Sequence, residues 1–326
     1  MDLLRQTQEL CRLYDIKPAR SKGQNFLIKE EIYDQLIAAA DLRADDTVLE
    51  VGPGFGFLTS RLAKIVKKVI AVELDDKLAE VLQIGLDSQG VGNVEIINQD
   101  ILKLVISNLK FGNNADKESP NYQLPITNYK VVANLPYNIS SVFLRKFLSS
   151  ENKPDSMVLM LQKEVAERIC ARPGEMSLLA VSVQFYAEPE IIQSVEANCF
   201  WPEPEVESAI IKLKVRNNKP FVIPTPQSAG EESLVDYNKI NKGSLVAGAS
   251  RDDKGEKEFF RLVKIGFSAR RKMLKNNLAA GLRLDQKIIA EKIKMAGISE
   301  NCRPQELSVE NWINLSGLFG FNPWKV

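Results

Sequence analysis

Short apolar runs alternate with stretches of helical spacing along the first part of the chain. In chain order, strand-like and helical segments follow one another at 47–51, 58–66, 69–74, 76–86, 94–98 and 129–133. Strands separated by helices are typical of a parallel sheet with helices packed on its faces. The pattern therefore predicts an α/β domain.

Further strand candidates lie at 156–161, 179–186 and 208–215. Beyond them the apolar residues recur at helical spacing, in segments at 258–274, 285–296 and 308–319. Three amphipathic segments of this kind predict a small helical bundle at the end of the chain.

Two stretches, 112–128 and 224–255, are polar, rich in Gly, Asn and Ser, and without periodicity. We expect them to be poorly ordered insertions. The second separates the α/β pattern from the helical one. The sequence therefore predicts a large domain at 1–217, a linker or insertion at 218–255 and a small helical domain at 256–326.

Histidine is absent from the sequence, which excludes serine–histidine hydrolysis, histidine acid–base catalysis and histidine-ligated metals. The four cysteines have no paired spacing, so we expect reduced thiols and no metal site. No apolar run approaches the ~18 residues that span a bilayer. The polar amino terminus does not have the form of a signal peptide, so we expect a cytoplasmic protein with no membrane role.

A buried strand turns sharply into a helix at 48–56, where the sequence reads VLEVGPGFG. Glycines in such a turn allow the backbone to approach a nucleoside closely. The dinucleotide fingerprint G-x-G-x-x-G requires a glycine where Phe57 stands. The loop therefore favours S-adenosylmethionine over a nicotinamide dinucleotide. We expect the ligand to approach the backbone closely at Gly52.

Two acids follow the next strands. Glu73 ends the strand after the glycine loop, where an acid accepts hydrogen bonds from ribose hydroxyls, and Asp100 follows the third strand and is positioned to accept from the adenine amine. Alone, each feature also has a structural explanation, as a bend or a helix cap. The three in this order predict nucleoside binding.

The fourth strand runs directly into Asn134-Leu135-Pro136-Tyr137. An exocyclic adenine amine is a weak nucleophile, and acceptors such as the Asn134 side chain and the Leu135 carbonyl would free its lone pair. Pro136 restricts the turn, and Tyr137 would stack on the base. In isolation such a segment is an ordinary turn; after the fourth strand of this sheet it predicts a methyl-acceptor site.

Seven ordered motifs carry a resemblance: GQNFL at 23–27, EVGPG at 50–54, VELD at 72–75, QD at 99–100, NLPYNIS at 134–140, LQKEV at 161–165 and FxPxPxVxS at 200–208. The chain resembles the small-subunit ribosomal RNA adenine dimethylases, which are similar to the macrolide-resistance methylases of large-subunit rRNA. The resemblance implies a Rossmann-like methyltransferase domain followed by a smaller all-α domain, with S-adenosylmethionine as cofactor.

The resemblance also implies the reaction: dimethylation of two adjacent adenosines in the 3′-terminal hairpin loop of small-subunit rRNA, during ribosome biogenesis. The partner is then rRNA within an immature ribosomal subunit, and we expect a monomer. The implied cofactor contacts are Asn25, Leu27, Gly52, Glu73, Asp100 and Asn134, and the implied base contacts are Leu135, Tyr137 and Phe200. Trp201 departs from the small polar residue expected at its position.

Two basic clusters suggest a path for RNA in a chain whose formal net charge is only +1. Arg270, Arg271 and Lys275 are expected to lie near one another on a helix and to bind phosphates. The second cluster, Lys17, Arg20, Lys22 and Lys29, brackets the GQNFL motif, and we expect Lys22 to bind RNA there. A solvated helix face is the structural alternative for the first cluster.

Three alternatives stay open. The first is a large-subunit rRNA adenine methylase of the macrolide-resistance type. The second is a DNA or protein-amide methyltransferase, which commonly uses an Asn-Pro-Pro-Tyr turn, although Leu135 stands here in place of the first proline. The third is a non-catalytic ribosome-assembly factor or transcription factor that retains the fold and RNA binding.

Overall fold

The computed structural model describes residues 2–18, 24–107, 123–216 and 251–321. The chain divides into two compact units, Met1–Ala171 with Ser182–Asn217, and Arg172–Val181 with Asn218–Val326. The predicted insertion at 112–128 and the predicted linker at 218–255 lie largely outside the described residues. The division into domains at 217 and 255 stays a prediction.

The first unit is built on a seven-stranded sheet. Its strands, with those of two small ribbons, are β1 Phe26–Leu27, β2 Thr47–Val51, β3 Lys68–Glu73, β4 Val94–Asn98, β5 Val105–Ser107, β6 Gln123–Pro125, β7 Tyr129–Asn134, β8 Ser156–Gln162, β9 Ala187–Val195, β10 Phe200–Trp201 and β11 Ser208–Val215. The sheet order is β4-β3-β2-β7-β8-β11-β9. The first five of these strands are parallel, and β11 is antiparallel to both of its neighbours.

Helices follow most of the parallel strands, which confirms the α/β domain that the alternating pattern predicted and the Rossmann-like fold that the resemblance implied. Helices α1 Leu3–Leu13 and α2 Glu30–Ala39 precede these strands, and α3 Phe57–Ala63, α4 Asp76–Ser88, α5 Ser140–Leu148 and α6 Lys163–Ile169 follow β2, β3, β7 and β8. The inner strands are buried; Val48, Leu49 and Val131 have no exposed surface. Apolar runs of this kind are typical of parallel strands covered on both faces.

The order of the strands reverses between β2 and β7, because the chain first builds outward from β2 to β4 and then returns to the other side. In open α/β sheets a ligand binds at such a switch point, in the crevice beyond the carboxyl ends of the strands. The residues that follow β2 and β7 are therefore the ones positioned to form a site.

The prediction of a strand at 179–186 is wrong. This segment is mostly helix α7, Leu178–Gln184, and the strand of this region is β9, which starts at Ala187. A short apolar run does not distinguish a strand from a buried helix, and the Ser177 hydroxyl accepts a hydrogen bond from Ala180 N at 3.1 Å, as a helix cap does. Strand β9 lies at the sheet edge, where Pro189 is tolerated.

The described part of the second unit is helical, with α8 Arg251–Gly266, α9 Leu274–Leu282, α10 Gln286–Met295 and α11 Val309–Leu318. The last two fill the predicted segments 285–296 and 308–319. Their capping residues begin them, since Asp285 accepts from Lys287 N and Ser308 forms a capping box with Asn311.

The predicted helix at 258–274 is wrong at its carboxyl end. Helix α8 stops at Gly266, where an added Cβ would lie 2.2 Å from the Trp312 ring. The buried Asn277 amide then donates to the carbonyls of Gly266, at 2.6 Å, and Ala269, at 3.0 Å. These bonds close the chain into a turn, so Arg270 and Arg271 lie in the connection before α9 and not on a helix with Lys275.

Candidate active site

A cavity opens beyond the carboxyl ends of β2, β3 and β7. Its walls come from the segment before β1, the loop after β2, the ends of β3 and β4, and the turn after β7, and they include Asn25, Leu27, Glu50, Gly52, Gly54, Glu73, Asp100, Asn134, Leu135, Pro136 and Tyr137. A Cβ at Gly52 would lie 3.9 Å from the Asn134 carbonyl oxygen. The glycine loop and the acceptor turn therefore meet in one cavity.

The glycine loop has a backbone that side chains disfavour. Gly52, Gly54 and Gly56 have φ values of +68°, +57° and +80°, in the region where residues with a Cβ are strained. Gly52 N donates to Val72 O at 2.9 Å, which ties the loop to β3. A Cβ on Gly54 would approach the Phe26 ring to 3.3 Å. The loop thus presents bare backbone to the cavity.

Glu73, the last residue of β3, is fixed by two backbone donors. Its Oε2 accepts from Gly54 N at 3.1 Å and its Oε1 accepts from Asp75 N at 2.9 Å. Burial raises the pKa of this carboxyl, and both hydrogen bonds oppose the shift. A carboxylate has about four lone-pair sites, so Glu73 can accept further hydrogen bonds from a ligand's hydroxyls.

Asp100 lies in the loop after β4. Its Oδ1 accepts from Leu102 N at 2.9 Å, which shapes the turn. Lys146 of α5 donates from Nζ to Leu102 O at 2.6 Å. Burial lowers the pKa of Lys146, and the charge of Asp100 opposes this shift. The loop that carries Asp100 is therefore held from beneath by α5.

The turn after β7 is fixed at both ends. Leu135 N donates to Met160 O at 3.2 Å, and Ile139 N donates to Pro136 O at 3.2 Å. Tyr137 Oη lies 2.6 Å from Ser208 Oγ. Burial raises the pKa of Tyr137, with the Ser208 hydrogen bond opposing, so the phenol is neutral at neutral pH.

Asn25 and Leu27 line the cavity with the residues above, whereas Phe200 does not. Phe200 is 2% exposed and belongs to the core cluster that contains Leu27. Strands β1 and β10 pair antiparallel and bring Leu27 opposite Phe200. Trp201 packs against a second cluster that includes Cys11. The base contact of Phe200 stays a prediction.

Three of the four residues predicted to bind RNA lie among the described residues. Arg270 and Arg271 are exposed in the second unit. Lys275 is partly buried and contacts Glu300 Oε2 at 3.9 Å and Asn301 Oδ1 at 3.4 Å. Lys22 lies outside the described residues. RNA binding by these four residues stays a prediction.

Glu50 is a cavity residue to which the sequence analysis gave no role. It lies within β2, is 2% exposed, and its Oε2 has no hydrogen-bond partner among the described residues. Burial raises its pKa to about 8; the Thr59 hydroxyl opposes this shift and the charge of Glu73 adds to it. The available signal was an acid inside an otherwise apolar strand, Val48-Leu49-Glu50-Val51.

In the part of the chain that the structure covers, no group of three or more His, Cys, Asp or Glu side chains is arranged to hold a metal ion. Within the same residues, no helix is both long and apolar enough to cross a bilayer.

The cavity fits a nucleoside. Bare glycine backbone allows close approach, Glu73 offers acceptor positions, and the buried Glu50 Oε2 lacks a donor that a ligand can provide. Phe57 begins α3 where a pyrophosphate-binding loop would have a glycine. With a sheet of this order, these features define an S-adenosylmethionine-dependent methyltransferase.

The family follows from comparison with known proteins. Residues 17–223 match the family model described as ribosomal RNA adenine dimethylase. A ribosomal RNA small subunit methyltransferase A from Dehalococcoides mccartyi strain CBDB1 is 39% identical over 321 residues, which cover 98% of this chain and 95% of that protein. The chain belongs to the ribosomal RNA adenine dimethylase family. It is an enzyme that dimethylates adenine in rRNA, with S-adenosylmethionine as its cofactor.

Solved structures agree on the fold. A dimethyladenosine transferase from Plasmodium falciparum superposes with a TM-score of 0.65 at 23% identity, over 89% of this chain and 95% of that one. The 23S rRNA methyltransferase ErmE superposes with a TM-score of 0.61, also at 23% identity, over 91% of this chain and 100% of that one. The fold is therefore shared by both kinds of rRNA methylase and does not by itself choose a substrate.

Proposed function

We propose that this enzyme dimethylates the exocyclic amines of two adjacent adenosines in the 3′-terminal hairpin loop of small-subunit rRNA. Its substrate is an immature ribosomal subunit in the cytoplasm, and it acts as a monomer during ribosome biogenesis. The observation that carries the proposal is the shared cavity of Gly52 and Asn134. The choice of subunit is supported by relatives named small subunit methyltransferases that match nearly the whole chain.

We assign cofactor binding to six residues around the cavity: Asn25, Leu27, Gly52, Glu73, Asp100 and Asn134. Glu73 accepts from ribose hydroxyls, and its two backbone donors keep its carboxylate oriented. Asp100 accepts from the adenine amine on a loop that Lys146 braces. When bound, S-adenosylmethionine supplies an electrophilic methyl group.

The acceptor turn prepares the target amine. The Asn134 side-chain oxygen and the Leu135 carbonyl accept hydrogen bonds from the N–H groups of the amine, two in the first transfer and one in the second. These bonds draw the lone pair out of the ring and toward the incoming methyl group. Pro136 fixes the turn and Tyr137 stacks on the base, an interaction of about 1–3 kcal/mol. Once methylated, the amine nitrogen releases a proton to water, so the neutral Tyr137 phenol need not act as a base and positioning is the main requirement.

RNA binding is assigned to four cationic residues, of which Arg270 and Arg271 are exposed in the second unit. Arg270 and Arg271 contact phosphates from the connection before α9, and Lys275 and Lys22, which precedes the GQNFL motif in the sequence, add further cationic contacts. The target adenine must leave its stack to reach Tyr137. Phe200, which pairs with Leu27 across β1 and β10, is assigned as a further contact to the target base.

The test is incubation of the protein with labelled S-adenosylmethionine and small ribosomal subunits from cells that lack this modification, followed by mass spectrometry of nucleosides. We expect dimethyladenosine at two adjacent positions near the 3′ end of the small-subunit rRNA. Large subunits serve as the comparison. Modification of large subunits alone would transfer the assignment to the resistance-type methylases, and no dimethyladenosine in either would leave a binding role without turnover.

A further inference from the structure

Ser208 joins the acceptor turn to a distant strand. Its Oγ lies 2.6 Å from Tyr137 Oη, and either hydroxyl can donate. The two residues are 71 positions apart in the sequence. Ser208 is fully buried, although it is polar and begins a strand. Its hydroxyl therefore has a specific partner at the wall of the cavity.

The sheet topology explains how Ser208 reaches the site. Strand β11 is antiparallel to β8, so its first residue pairs with Gln162, the last residue of β8. Ser208 also pairs with Val195, the last residue of β9. Its backbone is fixed between two strands at the edge of the sheet where Asn134 ends β7. A parallel strand in place of β11 would begin at the opposite edge.

The hydrogen bond holds the Tyr137 ring at its far end. At the near end Pro136 fixes the backbone with φ −55°, and Tyr137 starts a single helical turn that leads into α5. A tyrosine ring held at both its Cβ and its hydroxyl has lost the freedom of both side-chain torsions. A stacking platform needs this, because base stacking fixes the direction from which the amine meets the methyl group.

We propose that Ser208 is a positioning residue for methyl transfer, whose hydroxyl holds the Tyr137 ring in the orientation that stacks the target adenine. The proposal rests on the acceptor role given to Tyr137 above. The raised pKa of Tyr137 agrees with a phenol that remains protonated and contributes its ring and its hydrogen bond.

The experiment compares Ser208→Ala, Tyr137→Phe and the double variant in single-turnover methyl transfer to undermethylated small subunits. Both single variants remove the same hydrogen bond and keep the ring. We expect each to slow transfer about threefold to tenfold, which corresponds to the net contribution of one hydrogen bond. The double variant should be no slower than either single one. The cofactor dissociation constant should not change.

Ser316→Ala is the matched control. Ser316 is also fully buried, and its hydroxyl donates to Ile313 O at 2.8 Å within α11. It should lower thermal stability as Ser208→Ala does, without slowing methyl transfer. A Ser208→Ala rate equal to wild type, or rate reductions that multiply in the double variant, would overturn the proposal. If Ser208→Ala does not fold, a wild-type rate in Tyr137→Phe overturns it as well.

A second readout does not depend on the substrate. The sequence has seven tyrosines, so a spectrum of ring-labelled tyrosine can be assigned, with the Tyr137 signals identified by their disappearance in Tyr137→Phe. These signals should shift in Ser208→Ala and stay in place in Ser316→Ala; unmoved signals contradict the proposal. If wild type leaves the subunits unmodified, the proposed function fails, while the spectra still decide whether Ser208 positions the ring.

Discussion

Glu50 and Glu73 are buried carboxylates on neighbouring strands, and they differ in their partners. Glu73 accepts two backbone hydrogen bonds, whereas Glu50 Oε2 has no partner among the described residues. A buried charge without a donor is costly, and the group responds by binding a proton. This accounts for the pKa of about 8 at Glu50. Glu73 is the residue prepared to bind a ligand as an anion.

Glu50→Gln should remove a pH dependence of stability. The folded state raises the pKa of Glu50 from 4.5 to about 8, so between these values the folded protein binds the proton more tightly than the unfolded chain. The stabilising contribution of this proton on Glu50 is complete below pH 4.5 and is lost as the pH rises to about 8. At pH 8 the variant should be more stable by at least about 1 kcal/mol, or about 2–4 °C in Tm.

The measurement is thermal unfolding of the ligand-free protein at pH 5, 6.5 and 8. The Tm difference between Glu50→Gln and wild type should grow with pH. Because the sequence contains no histidine, no imidazole titrates across this range. Glu9→Gln, at an exposed position of α1, is the control and should follow wild type. A difference that stays constant with pH would show that Glu50 ionises normally.

Asn134→Ala tests the acceptor role of the turn after β7. We expect methyl transfer to fall by at least about a hundredfold, the usual cost of removing one group that stabilises a transition state. Cofactor binding should remain measurable by equilibrium dialysis, because five other residues are assigned to it. Asn198→Ala, at an exposed position, should behave as wild type. Full activity of Asn134→Ala would refute the assignment.

At the scale of elements, the apolar runs predicted most strands of the main sheet well. The bounds of β2, β4 and β11 are those expected from their apolar runs. The error at 179–186 arose because Leu178–Gln184 is apolar enough for either structure, while the true strand β9 is polar and lies at an edge. An apolar run leaves a clear mark on a sequence even at the edge strand β4, whereas the mixed polar and apolar residues of β9 do not.

Part of the candidate site could also be predicted from local sequence patterns, and part could not. The glycine loop, Glu73, Asp100 and the turn from Asn134 were predicted because each follows its own strand in the chain. The Tyr137–Ser208 bond depends on β11 running antiparallel beside β8, which no local pattern reveals. The break after α8 was missed for a similar reason, since it depends on Trp312 packing at Gly266.

Asn277→Ala should destabilise the connection between α8 and α9. The Asn277 amide is the donor for the carbonyls of Gly266 and Ala269, and removal of a buried donor costs about 1–3 kcal/mol. Denaturant unfolding should show this decrease in stability, and hydrogen exchange should accelerate at residues 266–277. Asn276→Ala, at an exposed neighbouring position, is the control. Unchanged exchange in Asn277→Ala would mean that packing at Trp312 alone ends α8.

At the scale of the whole molecule, charge is nearly balanced, with 43 basic and 42 acidic residues. A molecule of net charge +1 has no long-range field that would attract a polyanion. Binding of rRNA must therefore depend on where the cations are displayed. In the second unit Arg270, Arg271 and Lys272 are exposed in succession in the connection before α9.

A double charge reversal in this turn tests whether RNA binding depends on these two arginines or on the net charge of the protein. Arg270→Glu/Arg271→Glu should weaken RNA binding and reduce the slope of log K against log salt by about 0.7–0.9 for each phosphate that the variant no longer neutralises. Lys287→Glu/Lys294→Glu changes the net charge by the same amount at exposed positions of α10. Fluorescence anisotropy with a hairpin RNA over a salt series measures both. If the two double variants bind with equally reduced affinity, net charge governs binding; if only the first binds more weakly, the turn before α9 is where the phosphates bind.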